Sequence, residues 1–291
     1  MRDGDAAHRD LRTPVAHDRF VLLHYHIFKN AGSTIDYALR RSFGAGFVDF
    51  HGEHDDAVLV ADDLLALVRD DPSIVAISSH HTRYPRPRAR GFVFFDVCFV
   101  RHPLSRIRSL YHYGRRTDPG HWLAQLANAH DEAGFVAHML ERLPHMLTDV
   151  QINHIANGGA FARAAGPHDL ERAIATLREM SLPGVVERFD ESLVAGEFFL
   201  RPAFPAIDFA YVAQNVSAPD GHRPSGRDDQ LDLCRAAWGE DTFDAVLALN
   251  QWDLRLHAAA GDEVERRLAM LPRRDARLAE FRGRCRALAV A

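Results

Sequence analysis

Two short stretches of the chain carry side chains suited to holding an anion. The first is "FKNAGST", comprising Phe28, Lys29, Asn30, Ala31, Gly32, Ser33 and Thr34; it follows the apolar run "FVLLHYHI". A strand that delivers the chain to a tight turn and then a helix exposes the first N–H groups of that helix. Those groups have no partner inside the helix and sit at the positive end of its dipole. Such an end binds a phosphate or a sulfonate. Gly32 permits close backbone approach, Ser33 and Thr34 add hydroxyls, and Lys29 adds a full charge. The plainer alternative is a strand-to-helix turn with Ser33 as its N-cap. The loop lacks the GK[ST] ending of the ATP-binding loop, and Lys29 stands ahead of the turn. The second stretch is "FVRHPLSRIRSLYHY", where Arg101 ends an apolar strand and Ser109 lies eight residues on. An arginine can fork two oxygens of a phosphate, and a serine hydroxyl can supply another donor. Arg106 and Arg108 read as surface arginines of the following helix.

These residues need strands and helices to position them. Residues 20–28 are nearly all apolar, as in a central parallel strand. Ile35, Ala38, Leu39 and Phe43 then recur at helical spacing over 32–43, with Gly44 and Gly46 as a stop. A helix over 56–70, a strand over 73–81, a strand over 91–101 and a helix over 102–116 follow, the last with Pro103 in its first turn. Residues 117–182 read as mostly helical. A short strand at 184–189, a helix to Leu200, a long loop over 202–228 and a helical C-terminal part complete the pattern. The alternation predicts a three-layer α/β/α fold around a central, mostly parallel sheet, P-loop-like, with helical additions. One domain over 20–291 is expected, preceded by a flexible polar segment over 1–19.

The bulk composition narrows the function classes. The chain has 291 residues, 47% hydrophobic and 26% charged, with a formal net charge of −5. Nothing global points to nucleic acid, so a polyanionic ligand has to meet a local basic patch. "RYPRPRARG", from Arg83 to Gly91, is such a patch or else a solvated loop. The three cysteines, Cys98, Cys234 and Cys285, match no zinc spacing and favour a reducing compartment. No run approaches the ~18 apolar residues of a membrane span. The polar N-terminus resembles neither a signal peptide nor an anchor, so a cytoplasmic location is expected. Histidines number 18 and cluster as "HYH" (24–26), "HGEH" (51–54) and "HH" (80–81). Their spacing fits no metal motif, and no metal is expected.

Two anion sites on neighbouring strands suggest one ligand with two separated phosphates. The pair resembles the sulfotransferases that use 3′-phosphoadenosine 5′-phosphosulfate (PAPS). "HIFKNAGST" looks like their 5′-phosphosulfate loop, and "FVRHPLSRIRSLY" like their 3′-phosphate motif, with Lys29 and Arg101 72 residues apart. "VQINHIAN" (150–157), "GVVERFDESL" (184–193) and "NVS" (215–217) fall where that family has similar stretches, so the resemblance spans roughly residues 20–255. Within the family it is nearest to the carbohydrate branch, which includes heparan sulfate 2-O-sulfotransferases and bacterial relatives. That branch has a histidine at a strand end about twenty residues before the 3′-phosphate arginine; here His80 and His81 lie 21 and 20 residues before Arg101. The family's Gly-His is Ser79-His80, which favours His80 while leaving the choice open, and its Arg-Asp-Pro is Arg101-His102-Pro103.

The resemblance implies sulfuryl transfer from PAPS to an acceptor hydroxyl, on a carbohydrate or a small molecule, with adenosine 3′,5′-bisphosphate as product and no metal. Phe28 to Thr34 would hold the 5′-phosphosulfate, and Arg101 and Ser109 the 3′-phosphate. Lys29 would stabilise the leaving oxygen, and a neutral histidine, His80 or His81, would be the base, with an unperturbed pKa of ~6.5. Asn215 to Ser217 would also approach the nucleotide. The competing readings are a P-loop-type kinase, which calls for GxxxxGK[ST] and a metal-holding carboxylate at a strand end, and a nucleotide-binding protein without catalysis.

Overall fold

The computed structural model describes residues 18–54, 57–159, 163–213 and 227–290. Five strands make one sheet: β1 (Arg19–Tyr25), β2 (Phe47–Asp49), β3 (Ala76–Ser79), β4 (Phe92–Val100) and β5 (Leu182–Val185). Their spatial order is β2-β3-β1-β4-β5, and every neighbouring pair is parallel. The fold is therefore α/β with an all-parallel sheet flanked by helices. Central strand β1 is buried from Val21 to Tyr25, and β4 from Val97 to Val100, as parallel strands covered by helices must be.

Helix α1 (Gly32–Phe43) occupies the predicted span, burying Ile35, Ala38 and Leu39 and stopping at Gly44, whose φ is +53°. Helix α2 (Ala61–Asp70) starts later than the apolar pattern suggested, and β3 is shorter. Strand β2 was not legible in the sequence: three residues are too short to show alternation. Helix α3 (Pro103–Gly114) begins on its proline. Helices α4 (Trp122–Ala129), α5 (Glu132–Arg142), α6 (Val150–Ala156), α7 (Pro167–Glu179) and α8 (Phe189–Leu200) fill the middle of the chain. Helices α9 (Arg227–Trp238), α10 (Glu240–Leu249), α11 (Gln251–Leu268) and α12 (Arg274–Ala289) close it. No helix among the described residues is long and apolar enough to cross a membrane.

Two apolar clusters hold these layers together. The larger surrounds the sheet; the smaller gathers α3, α4, α5, α9 and α10 around Leu104, Ile107, Leu110, Phe135 and Trp238. The smaller cluster corrects one sequence reading, because it covers α3 on a side expected to meet water. Arg106 is 2% exposed and donates from Nη2 to the Met146 carbonyl at 2.8 Å, while Arg108 lies 3.2 Å from Glu132. Each fully buried Leu or Val contributes about 1.5–3 kcal/mol. That reserve lets the carboxyl edge of the sheet carry polar groups whose burial costs stability.

Candidate functional site

The strand order decides what meets at the carboxyl edge. In the register, Tyr25 at the end of β1 lies opposite Ser79 of β3 and Cys98 of β4. The next residues on those three neighbouring strands lead to Lys29, to His80 and to Arg101. Open α/β sheets bind ligands at this edge, where successive connections leave a strand in opposite directions.

The loop after β1 is built to expose backbone. Lys29 and Ala31 have φ of 69° and 62°, in the left-handed region. That region costs a non-glycine residue about 1–2 kcal/mol, and alternation of this kind turns successive N–H groups into an anion-binding concavity. The N-cap of α1 is Ala31, and no side chain caps it. Ser33 is exposed within the first turn. The plain alternative, Ser33 as N-cap, is thereby overturned; the Thr34 and Ile35 N–H groups bond back to the Ala31 carbonyl at 3.0 and 3.4 Å, and the Gly32 and Ser33 N–H groups are left for another acceptor. Gly32 has a reason that its sequence context did not reveal. A β-carbon there would lie 1.9 Å from both Cδ2 and Nε2 of the buried His26 ring. The space above the glycine is filled by an imidazole.

Lys29 and Arg101 come together as a pair of like charges. The Arg101 Nη1 donates to the Lys29 carbonyl at 3.0 Å, and neither side chain forms an ion pair among the described residues. The Lys29 ammonium rests over the Tyr113 ring at 4.2 Å and the Phe28 ring at 5.4 Å. Burial, reinforced by Arg101 and Arg116, pulls its pKa down to about 8. Burial likewise lowers Arg101, against the opposing pull of Glu187, and its buried Nε has no hydrogen-bond partner. Two half-buried cations without a carboxylate between them are costly unless an anion completes the site. Ser109 is buried on α3 one turn before Tyr113, so the two share a helix face.

One carboxamide ties the two motifs together. Gln151 Oε1 accepts from the Arg101 N–H and from Asn30 Nδ2, each at 2.8 Å. Its Nε2 donates to the Arg101 carbonyl at 2.8 Å and to Asp253 at 3.2 Å. Asn30 Nδ2 also donates to the Phe99 carbonyl at 2.7 Å. Asp253, fully buried, accepts the N–H groups of Gln151 and Ile152 at 3.1 and 2.8 Å. The spacing between the loop and Arg101 is thus set from α6 and α11. On the far side, Glu187 accepts the His102 N–H at 3.0 Å and contacts His257 Nε2 at 2.8 Å.

The histidines separate into roles. The His80 Nδ1 lies 2.9 Å from the His26 carbonyl, which can only accept, so Nδ1 carries the proton and Nε2 a lone pair. Burial first, then His26, pushes its pKa down to about 3, well below the ordinary value used in the sequence reading. His80 is therefore neutral at pH 7. His81 is buried, and its Nδ1 accepts the Gly52 N–H at 2.7 Å, a structural bond. Of the two, His80 keeps the free lone pair at Nε2, while the His81 Nδ1 is engaged by Gly52. The His80 ring lies 3.7 Å from that of His26, 5.6 Å from His51 and 5.7 Å from Phe28. His24, His26 and Asp36 bring three ligating atoms within 4.8 Å of one another. The His24 and His26 planes differ by only 21° with centroids 5.2 Å apart. The Asp36 carboxylate lies between the two Nδ1 atoms, at 2.9 and 3.0 Å.

The basic run divides as well. Arg83 donates from Nη1 to the His80 and Thr82 carbonyls, beside the site. Arg86 instead pairs with buried Asp96 at 2.8 Å, and Arg88 and Arg90 are exposed. Asn215 to Ser217 lie outside the described residues. Sequence reasoning missed Gln151, Asp253, Tyr113, His26 and Asp36 as members of the site. "VQINHIAN" drew attention to the neighbourhood of Gln151, "HYH" to His26 and the Arg101 stretch to Tyr113, but no spacing signal marked Asp36 or Asp253.

No family model matches the chain. An uncharacterized protein of Archaeoglobus fulgidus is 28% identical over 248 residues, covering 82% of this chain and 95% of that protein.

Proposed function

We propose that this chain is a PAPS-dependent sulfotransferase on a P-loop-like scaffold. The observation that carries the reading is the pairing of Lys29 and Arg101, two cations with no side-chain ion pair among the described residues, the Arg101 guanidinium lying 3.0 Å from the Lys29 carbonyl across neighbouring strand ends. They match in kind and order the two phosphate-binding motifs the chain resembles. The loop from Phe28 to Thr34 takes the 5′-phosphosulfate, with the Gly32 and Ser33 amides at the start of α1 as its backbone donors. Arg101, with Ser109, takes the 3′-phosphate. The acceptor is a hydroxyl, on a carbohydrate or a small molecule.

The acceptor oxygen forms a bond to sulfur as the bond from sulfur to the bridging 5′-phosphate oxygen breaks. The electron pair leaves with adenosine 3′,5′-bisphosphate, and the acceptor proton passes to His80 Nε2. Lys29 and the N-terminal amides of α1 stabilise the charge growing on the leaving oxygen. A bound dianion beside His80 raises its proton affinity from the low value it has in the free protein. A kinase reading needs a metal-holding carboxylate at the strand edge, and Asp96, mid-strand, is instead committed to Arg86 and Ser181.

Calorimetry with adenosine 3′,5′-bisphosphate and with adenosine 5′-phosphate tests the nucleotide assignment. Arg101→Ala should weaken the bisphosphate much more than the monophosphate; equal weakening removes Arg101 from the 3′-phosphate. Transfer of labelled sulfate from PAPS to a panel of hydroxyl acceptors tests the reaction itself.

A further inference from the structure

The loop contains a titratable side chain that its sequence motif does not account for. His26 is 8% exposed, and the edge of its ring bearing Cδ2 and Nε2 occupies the place of a Gly32 side chain. Its opposite nitrogen, Nδ1, lies 3.0 Å from Asp36 Oδ2, without an aligned hydrogen bond. The imidazole is therefore wedged between the first residue of α1 and a buried carboxylate on the same helix.

We propose that His26, backed by Asp36, is a further binding residue of the loop, taking up a proton from solvent when a phosphosulfate or phosphate dianion docks and becoming a donor to it. The inference rests on the reading that this loop holds the 5′ group.

The charges argue for it. Burial works against ionisation of Asp36, yet His24 and His26 hold its carboxyl well below the usual range. Both imidazoles face this buried carboxylate, and a proton on His26 helps to offset its charge. Burial pushes the pKa of His26 down, and Asp36 pulls it back up. An incoming dianion acts in the same direction as Asp36, and an opposite charge within about 4–6 Å raises such a pKa by about 1–3. A neutral His26 with its proton at Nδ1 would turn an Nε2 lone pair toward the loop; the imidazolium turns a donor there. The other groups around His26 are His24 on β1, His80 after β3, Asp49 on β2 and His154 on α6. His24 and His80 disfavour the proton, and Asp49 favours it.

The test is calorimetry of adenosine 3′,5′-bisphosphate binding in two buffers of different ionisation enthalpy, on wild type and His26→Gln. Lys29 and the phosphates also exchange protons on binding, so the difference between the two proteins is the quantity read. Wild type should take up close to one proton more than His26→Gln. The loss of affinity in the variant should be largest at low pH and shrink up to tenfold per pH unit as pH rises. In parallel, ¹⁵N-histidine NMR of wild type should move the His26 nitrogens from a neutral tautomer to imidazolium on saturation, a readout that does not depend on the variant folding. Equal proton uptake in both proteins, or a neutral His26 in the saturated complex, overturns the inference while leaving the nucleotide assignment intact. If wild type binds no bisphosphate, the nucleotide assignment and this inference fall together.

Discussion

Replacing Gln151 by Met keeps the length and bulk of the side chain and removes its polar end. Four hydrogen bonds disappear, two of them to the main chain of Arg101 and one each to Asn30 and Asp253. Asn30 keeps the Phe99 carbonyl, and Asp253 keeps two backbone N–H groups. The groups left without a partner are the Arg101 N–H and C=O. A buried main-chain group deprived of its partner costs about 1–3 kcal/mol, so Gln151→Met should destabilise by about 2–6 kcal/mol. Urea unfolding followed by circular dichroism reads that loss. The functional consequence is distinct from the loss of stability. Gln151 fixes how far the loop stands from Arg101, and only a ligand that bridges both gains from a preset spacing. Adenosine 3′,5′-bisphosphate should lose about tenfold more affinity than adenosine 5′-phosphate. A variant within ~0.5 kcal/mol of wild type, or one that weakens both nucleotides equally, would refute the view of Gln151 as the clamp between the two proposed anion sites.

Three further outcomes follow from the same geometry. Gly32→Ala drives a β-carbon into the His26 ring and should cost about 1–3 kcal/mol; combining it with His26→Ala should recover part of that loss, and strict additivity would show that the ring is not the obstacle. With a pKa near 8, Lys29 would hold the proposed nucleotide as the ammonium, so bisphosphate affinity should fall as pH rises through about 8 and this fall should vanish in Lys29→Ala. The unfolded chain holds more protons than the folded one between about 8 and ~10.4, so this lysine's contribution to stability rises with pH across that window. His80→Ala should abolish most turnover while bisphosphate binding survives. His81→Ala should act through stability, by releasing Gly52. The pH profile of kcat/KM reports the free enzyme, in which His80 stays neutral down to about 3. A limb near 6.5 that His80→Ala removes would contradict that placement.

The sequence by itself determined the local pieces. The apolar run before Lys29 and the one before Arg101 each demanded a buried parallel strand, and the spaced apolar residues after them demanded helices. The two cations therefore had to stand at strand ends, next to helix N-termini. Helix α1 lies where its periodicity put it, and Pro103 marks the start of α3. These features are local because hydrogen bonding and burial within one strand or one helix have a short period that the chain spells out directly.

What only the tertiary structure decided is which pieces meet. The order β2-β3-β1-β4-β5 puts the ends of β3 and β4 on either side of β1, and so brings His80, Lys29 and Arg101 to one edge. No periodicity encodes that order; it follows from how the helices cover the sheet. The carboxamide of Gln151, 121 residues from Asn30, closes the site through contacts that a linear reading cannot see. Arg106 looked like a surface residue on α3 because the helices that bury it lie far along the chain. Gly32 shows the same division. Its type and position were plain in the sequence, but the imidazole that requires it comes from across the turn, and only packing reveals it.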